Sequence, residues 1–307
     1  MRISSSTIYE ASVGAMQQQS AKLLQVQQQI STGRRILTPA DDPIGAAQAL
    51  QVTQSQTMNT QYGTNAGSAS DSLTMEESVL GNITTLLQDV RDVSITAGNG
   101  ALSSNDRAIL ATDLSGRYQQ LLALANTVDG NGQYLFSGYQ GGVRPFTAQA
   151  NGTIDYNGDQ GQRLIQISPS EQLAVSDAGS DVFQRIALAG GGYQDVFKTI
   201  DNLVQLLQTS PGGAGLTTGL ATALGNIDNA LNNVINVRTS VGSRLKTLDA
   251  AQSAGEDRAL QYSQTLSRLQ DVDYAKAAAE LMQQQVGLQA AQQSFVKLAG
   301  LSLFNYL

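Results

Sequence analysis

Two acidic runs, a glycine run and one seam arginine are the places where this chain's residue types could do chemistry. Asp41-Asp42, directly ahead of Pro43, could be a paired carboxylate site for general acid and base chemistry. Adjacent acids before a proline at a helix start serve far more commonly as caps, because their oxygens accept the orphan N–H groups of the first turn. Asp155-Tyr156-Asn157-Gly158-Asp159 offers oxygen ligands to Ca²⁺. It lacks the Glu that closes an EF-hand loop, which points to a turn. Gly190-Gly191-Gly192 has no following Lys-Ser/Thr and no Gly-x-Gly-x-x-Gly spacing, so it reads as a flexible joint. Arg238 interrupts an apolar helical row, where a guanidinium either snorkels to water or meets a neighbouring acid.

Composition narrows the chemistry further. Among 307 residues there is no His, Cys or Trp. The Ser-His-Asp and Cys-His nucleophile pairs, His/Cys zinc sites and thiolate-bound clusters are therefore excluded, and carboxylate or Lys chemistry is what remains. Lys+Arg 18 against Asp+Glu 25 gives a net charge of -7, opposite in sign to a surface that tracks nucleic-acid phosphates. The first ten residues lack the apolar core of a secretory signal, and no apolar run is long enough to span a bilayer, so no membrane insertion is expected. Residues 1–65 and 255–307 together carry no net charge, and the whole of the -7 lies in 66–254. Neutral ends that can crowd together beside a solubilising acidic centre suit an assembling subunit.

Helices must position whatever function the chain has. Ser6, Tyr9, Val13, Met16, Ser20, Leu23, Gln27 and Ile30 recur at alternating spacings of three and four, the a/d seam of a coiled coil. The helix should stop near Gly33 and another restart after Asp41 or Asp42, with Pro43 in its first turn. Val79 to Val93 and Leu110 to Val128 form two more amphipathic stretches, the second opened by Ser103-Ser104-Asn105-Asp106. The strongest row runs Leu220, Leu224, Ile227, Leu231, Val234, Arg238, Val241, Leu245 and Leu248. A last helix carries Leu281, Gln284, Leu288, Ala291, Phe295 and Leu298 before the tail Leu301–Leu307, and a register change is expected across 270–280.

Between 130 and 197 the texture changes. That stretch holds twelve of the 30 glycines and eight of the sixteen aromatics, a β-rich insertion. Gln133 to Ser137 reads as a strand. Thr153 to Tyr156 and Arg163 to Ile167 read as two strands of one hairpin through Asn157-Gly158. The helix from Val196 to Leu207 follows the glycine run.

Several segments together resemble a known family. Met1-Arg2-Ile3-Ser4, the Gln-rich heptads, the run Ile30 to Ala47 with its Asp41-Asp42-Pro43, Tyr134-Leu135-Phe136-Ser137-Gly138-Tyr139 and the closing Leu301 to Leu307 are similar to the flagellar hook-associated protein 3 family, hook–filament junction proteins within the flagellin superfamily. Pro43 after Asp42 and the Tyr306-Leu307 ending depart from flagellin itself, the alternative in the same class. A hydrolase using carboxylates of the 130–197 region is the alternative from another class.

The resemblance implies a mostly α fold with no cofactor and no catalysis. Residues 1–45 and 255–307 would be terminal coiled-coil segments, disordered in the monomer. Residues 46–138 and 190–254 would form a helical rod, and 139–189 a β-rich outer insertion that a scaffold could lose. The assembly seam would comprise Val13, Met16, Leu23 and Ile30 with Leu281, Leu288, Phe295, Leu298, Leu303 and Phe304. Export would use the flagellar type III apparatus, with a chaperone on the C-terminal helix. Partners would be hook-associated protein 1, flagellin and the filament cap, and copies of the chain itself in a junction ring on the extracellular flagellum.

Overall fold

The structure, a computed structural model, describes residues 5–149, 152–188, 192–210 and 212–300. Its chain divides into two compact units: Met1–Asn59 with Asp257–Leu307, and Thr60–Glu256. Six α-helices are formed among the described residues: α1 (Ser5–Thr32), α2 (Pro43–Ala97), α3 (Ser104–Ala125), α4 (Val196–Thr209), α5 (Ala214–Gln270) and α6 (Tyr274–Gly300).

Helix ends follow the local chemistry. Gly33 takes φ +70° just past α1, a left-handed stop that side chains with a Cβ resist. Asp42 Oδ1 accepts the Gly45 N–H at 2.9 Å to start α2. At α3, Ser103 and Asp106 form a reciprocal capping box, and Asp195 Oδ1 accepts from Phe197 and Lys198 at the start of α4. The register change expected across 270–280 is a full break: α5 ends at Gln270, and Asp273 Oδ1 accepts from Ala275 and Lys276 to begin α6.

Where separate helical stretches were expected between Pro43 and Val93, α2 runs without interruption. Its polar middle lacks an apolar row, yet Thr53, Thr57, Thr64, Ser68 and Ser72 each return their hydroxyl to the carbonyl four residues back. Those bonds occupy groups that would otherwise compete with the helix.

The core of the second unit joins α2, α3, α4 and α5. Leu73, Leu80, Ile83, Leu114, Ile227 and Val241 are fully enclosed, each contributing about 1.5–3 kcal/mol by burial. Ion pairs cross it at Arg91–Asp228 (2.8 Å), Arg117–Asp89 (2.7 Å) and Arg238–Glu77 (2.6 Å). Arg238 thus meets an acid on the facing helix.

Among the described residues, three two-stranded antiparallel sheets lie between α3 and α4 in sequence: β1 (Phe146–Ala148) with β2 (Ile154–Tyr156), β3 (Leu164–Ser168) with β4 (Glu171–Ala174), and β5 (Ile186–Ala187) with β6 (Tyr193–Gln194). The hairpin expected through Asn157-Gly158 does not form. Phe146 pairs with Tyr156 and Leu164 with Ala174 instead. Asp159 explains the difference, since its Oδ1 accepts from the Tyr139 and Gly161 N–H groups and pulls the turn back onto 137–139. Gly158 serves close approach, because a Cβ there would lie 2.6 Å from the Tyr156 ring and 2.9 Å from the Ser137 carbonyl. Gln133 to Ser137 is likewise not a strand. Only Tyr134 bridges, to Val128, and the Ser137 hydroxyl closes a turn on the Tyr134 carbonyl.

The aromatic rings of this region share one core with the helices. Phe146 lies 5.2 Å from Phe183 and 5.3 Å from Phe197, and Phe136 lies 5.4 Å from Phe183. A single π turn, Ser180–Gln184, delivers Phe183 into the cluster. Beside it, Arg244 on α5 pairs with Asp177 and donates to the Ala174 carbonyl, while the Asp177 N–H donates to Glu76 Oε1 at 3.2 Å. Glu76 is 2% exposed, and its Oε2 has no hydrogen-bond partner. Burial, reinforced by the Asp177 charge and opposed by Arg244, pushes its carboxyl up to about 8.

Candidate functional site

The carboxylates that could have done chemistry are engaged in holding the backbone. Asp41 Oδ2 accepts from Leu37 (3.0 Å) and Thr38 (2.8 Å), and Asp42 pairs with Arg35 at 3.1 Å besides capping α2. Hydrogen bonds from Thr38 to Asp41, and from Gly45 to Asp42, hold both carboxyls below the usual range. Asp159, Asp177 and Asp195 are taken up by the turn, ion pair and cap already described. What stands out is the packing of the chain's two ends.

α1 packs against α6 along its length, antiparallel. Tyr9 and Phe295 meet with ring centroids 5.1 Å apart. At the other end, the segment after α1 bridges to the break before α6: Arg35 N–H donates to the Gln270 carbonyl at 2.6 Å, Val272 N–H to the Gly33 carbonyl at 2.9 Å, and Arg35 Nη2 to the Leu269 carbonyl at 2.8 Å. Gly33 is needed here twice over, since a Cβ would also lie 3.0 Å from the Tyr274 hydroxyl.

The described residues of the sequence-predicted assembly seam lie on these two helices. Val13, Met16, Leu23, Ile30, Leu281, Leu288 and Phe295 are all half-buried. Stepping seven residues inward from Tyr9 and Phe295 sets Met16 level with Leu288, and a second step sets Leu23 level with Leu281. The Leu298 side chain, Leu303 and Phe304 lie outside what is described. One seam position is corrected: Gln27 is exposed and its neighbour Val26 is the buried residue, 5% exposed. Val26 lies three residues after Leu23 and four before Ile30, which keeps the helical period while excluding the amide.

Burial here is shallow. Val26, Ala49 and Ala277 are the apolar side chains buried among the described residues of the terminal unit. By contrast, Met282 is 66% exposed, Val286 65% and Val296 68%. These three form a second row on α6, centred roughly 120° round from the seam at about 100° per residue. Soluble monomers seldom leave rows of large apolar side chains open without a partner surface. Sequence reasoning missed this second row, whose signal was the recurrence of Met282 and Val286 between the seam positions. It also missed the polar contact inside the seam, where Gln19 Nε2 donates to Gln284 Oε1 at 2.6 Å.

Comparison with known proteins agrees with the geometry. Residues 3–141 match the bacterial flagellin N-terminal helical region and residues 224–307 the bacterial flagellin C-terminal helical region. The flagellar hook-associated protein 3 of Salmonella typhimurium is 34% identical over 317 residues, covering 99% of both chains. That of Escherichia coli is 35% identical over 319 residues at the same coverage. The crystal structure of the flagellar junction protein FlgL from Legionella pneumophila shares the fold at a TM-score of 0.64 and 22% identity, covering 73% of this chain and all of that one.

Proposed function

Because the chain belongs to the flagellar hook-associated protein 3 family, a family of structural flagellar proteins, we propose that it is a structural subunit that polymerises at the junction between hook and filament. The observation that carries this reading is the terminal helix pair, with its shallow seam and its open row of Met282, Val286 and Val296. A subunit whose ends gain their burial from neighbours is stable only in place, which suits a joint assembled from exported chains.

The mechanism is mechanical. Copies would associate through the terminal helices, hook-associated protein 1 would lie on one side of the ring, and flagellin with its cap on the other. Before assembly the same apolar rows would need cover, the task of an export chaperone on α6 and the tail. Passage through the flagellar export channel would place the ring on the extracellular flagellum. Among the described residues no helix is long and apolar enough to cross a membrane.

Electron microscopy of cells lacking the gene tests the reading. Hooks without filaments, restored by the plasmid-borne chain, are the expected result. Filaments still attached in the deletion strain would overturn it.

A further inference from the structure

α6 carries two apolar rows, and something must decide which of them lies on α1. Leu281, Leu288 and Phe295 form the inward row, while Met282, Val286 and Val296 form the outward one. The inward row is the larger, Phe and two Leu against Met and two Val with Ala277 buried on the same face, but apolar burial is non-directional and fixes the angle of a helix only loosely. The backbone bridge between Gly33–Arg35 and Gln270–Val272 opposes sliding of α6, but its bonds reach no further along the chain than Val272.

The seam contains one polar contact with directional geometry. Gln19 Nε2 donates both to Gln284 Oε1 (2.6 Å) and to the Gln284 backbone carbonyl (3.2 Å). Gly287, nearly one turn further along α6, leaves the space that this side chain fills. A Cβ at 287 would lie 2.6 Å from Gln19 Nε2. Gly287 sits in regular helix without a positive φ, so it supplies room here rather than a special backbone conformation.

We infer that Gln19, Gln284 and Gly287 form the key that selects the face of α6 presented to α1, and with it the row left outward. Turned by roughly 120° at about 100° per residue, α6 would set Met282 and Val286 at the angle Leu281 and Leu288 now hold and carry Gln284 and the Gly287 notch away from α1. The Gln19 amide would then lack its acceptor in a partly dry seam, a net loss even though the apolar contact survives. Polar residues within coiled-coil seams act this way in general, giving up stability for a single arrangement. These three are positioning residues, and the consequence for assembly rests on the functional reading above.

The chain has no Cys, so engineered pairs report without background. Met16→Cys with Leu288→Cys reads the face seen here, and Met16→Cys with Val286→Cys reads the turned face. Oxidation of isolated flagella, scored by intramolecular disulfide on gels, should give the first product in the wild-type background. Gln284→Ala and Gly287→Ala should each lower the ratio of first to second product about fivefold, the scale of one net hydrogen bond. Gln284→Glu, which keeps an acceptor, should hold the ratio near its starting value. Gly287→Ala is informative beyond folding, because the substitution favours helix formation and a purely structural role would leave α6 better ordered on the same face. An unchanged ratio in both alanine variants would overturn the inference, as would an equal fall with Gln284→Glu. The functional reading is scored separately, by whether the wild-type chain is recovered in the flagellar fraction at all.

Discussion

Truncating one apolar side chain in each unit separates what holds the monomer from what the ends contribute. Ile227 on α5 is 0% exposed within the main core. Ile227→Ala leaves a cavity that neighbouring side chains fill only in part, at a cost of about 2–5 kcal/mol. For a unit of this size a loss of 1 kcal/mol lowers Tm by about 2–4 °C, so the drop expected is roughly 4–20 °C. Leu288 on α6 is half-buried, and its truncation removes roughly 1 kcal/mol of burial from the terminal pair. That loss falls outside residues 60–256 and should leave their melting transition within about 1 °C. Circular dichroism melts of the purified chains, read beside filament attachment in cells, make the comparison. Ile227→Ala should melt early, and Leu288→Ala should melt normally yet attach filaments poorly. Equal losses of Tm would refute the reasoning, because they would show that α6 already belongs to the cooperative core.

Limited proteolysis of the isolated chain should strip roughly residues 1–50 and 255–307, because ordering each residue costs about 1–2 kcal/mol and, among the described residues there, Val26, Ala49 and Ala277 are the buried apolar side chains that offset it; a protected N-terminus would contradict this. Glu76 is held above its ordinary value of 4.5, at about 8, so the stability tied to its proton is whole below the first value and lost as pH rises through the second. Glu76→Gln, which imitates the protonated carboxyl, should flatten the fall in Tm between those two values, and a slope unchanged by the substitution would remove Glu76 as its cause. Excision of residues 139–189, which the sequence alone suggested a scaffold could lose, removes Phe146 and Phe183 and uncovers Phe136 and Phe197, each at most 1% exposed; the soluble yield and Tm of the purified chain should fall, and an unchanged melt would show that the helices fold without the insertion's rings.

Helices were legible because their signals are local. Gly33, Pro43 and the Ser103–Asp106 box each act within one turn of the chain, so composition and spacing sufficed to find them, while the break before Tyr274 showed in the spacing only as a change of register. The strands were only half legible, for a physical reason. Asn157-Gly158 carries the sequence mark of a hairpin, but the competing claim on that segment comes from Ser137 and Tyr139, some 20 residues earlier. Short strands pair wherever side-chain anchors bring them, and Asp159 is such an anchor. Nothing in the local pattern of Gln133 to Ser137 announces that Phe136 must leave the strand geometry to join Phe146, Phe183 and Phe197.

At the site, period alone went far and then failed at its polar positions. Seven-residue steps set Met16 level with Leu288 and Leu23 level with Leu281, whereas Val26, a buried apolar side chain of α1, lies one position off the count. Of the glutamines, Gln284 follows from the count and the others do not. Gln27 occupies a seam position by count and is exposed, while Gln19 falls off the count and lies in the contact, bonded to Gln284. An apolar row is read by summing many similar contributions, and one misplaced residue hardly changes the sum. An amide contributes only when a partner stands within hydrogen-bond distance, which depends on a residue 265 positions away in sequence. A period therefore tells that α1 and α6 can pair, whereas the choice of face rests on single residues such as Gly287, whose importance is the side chain it lacks.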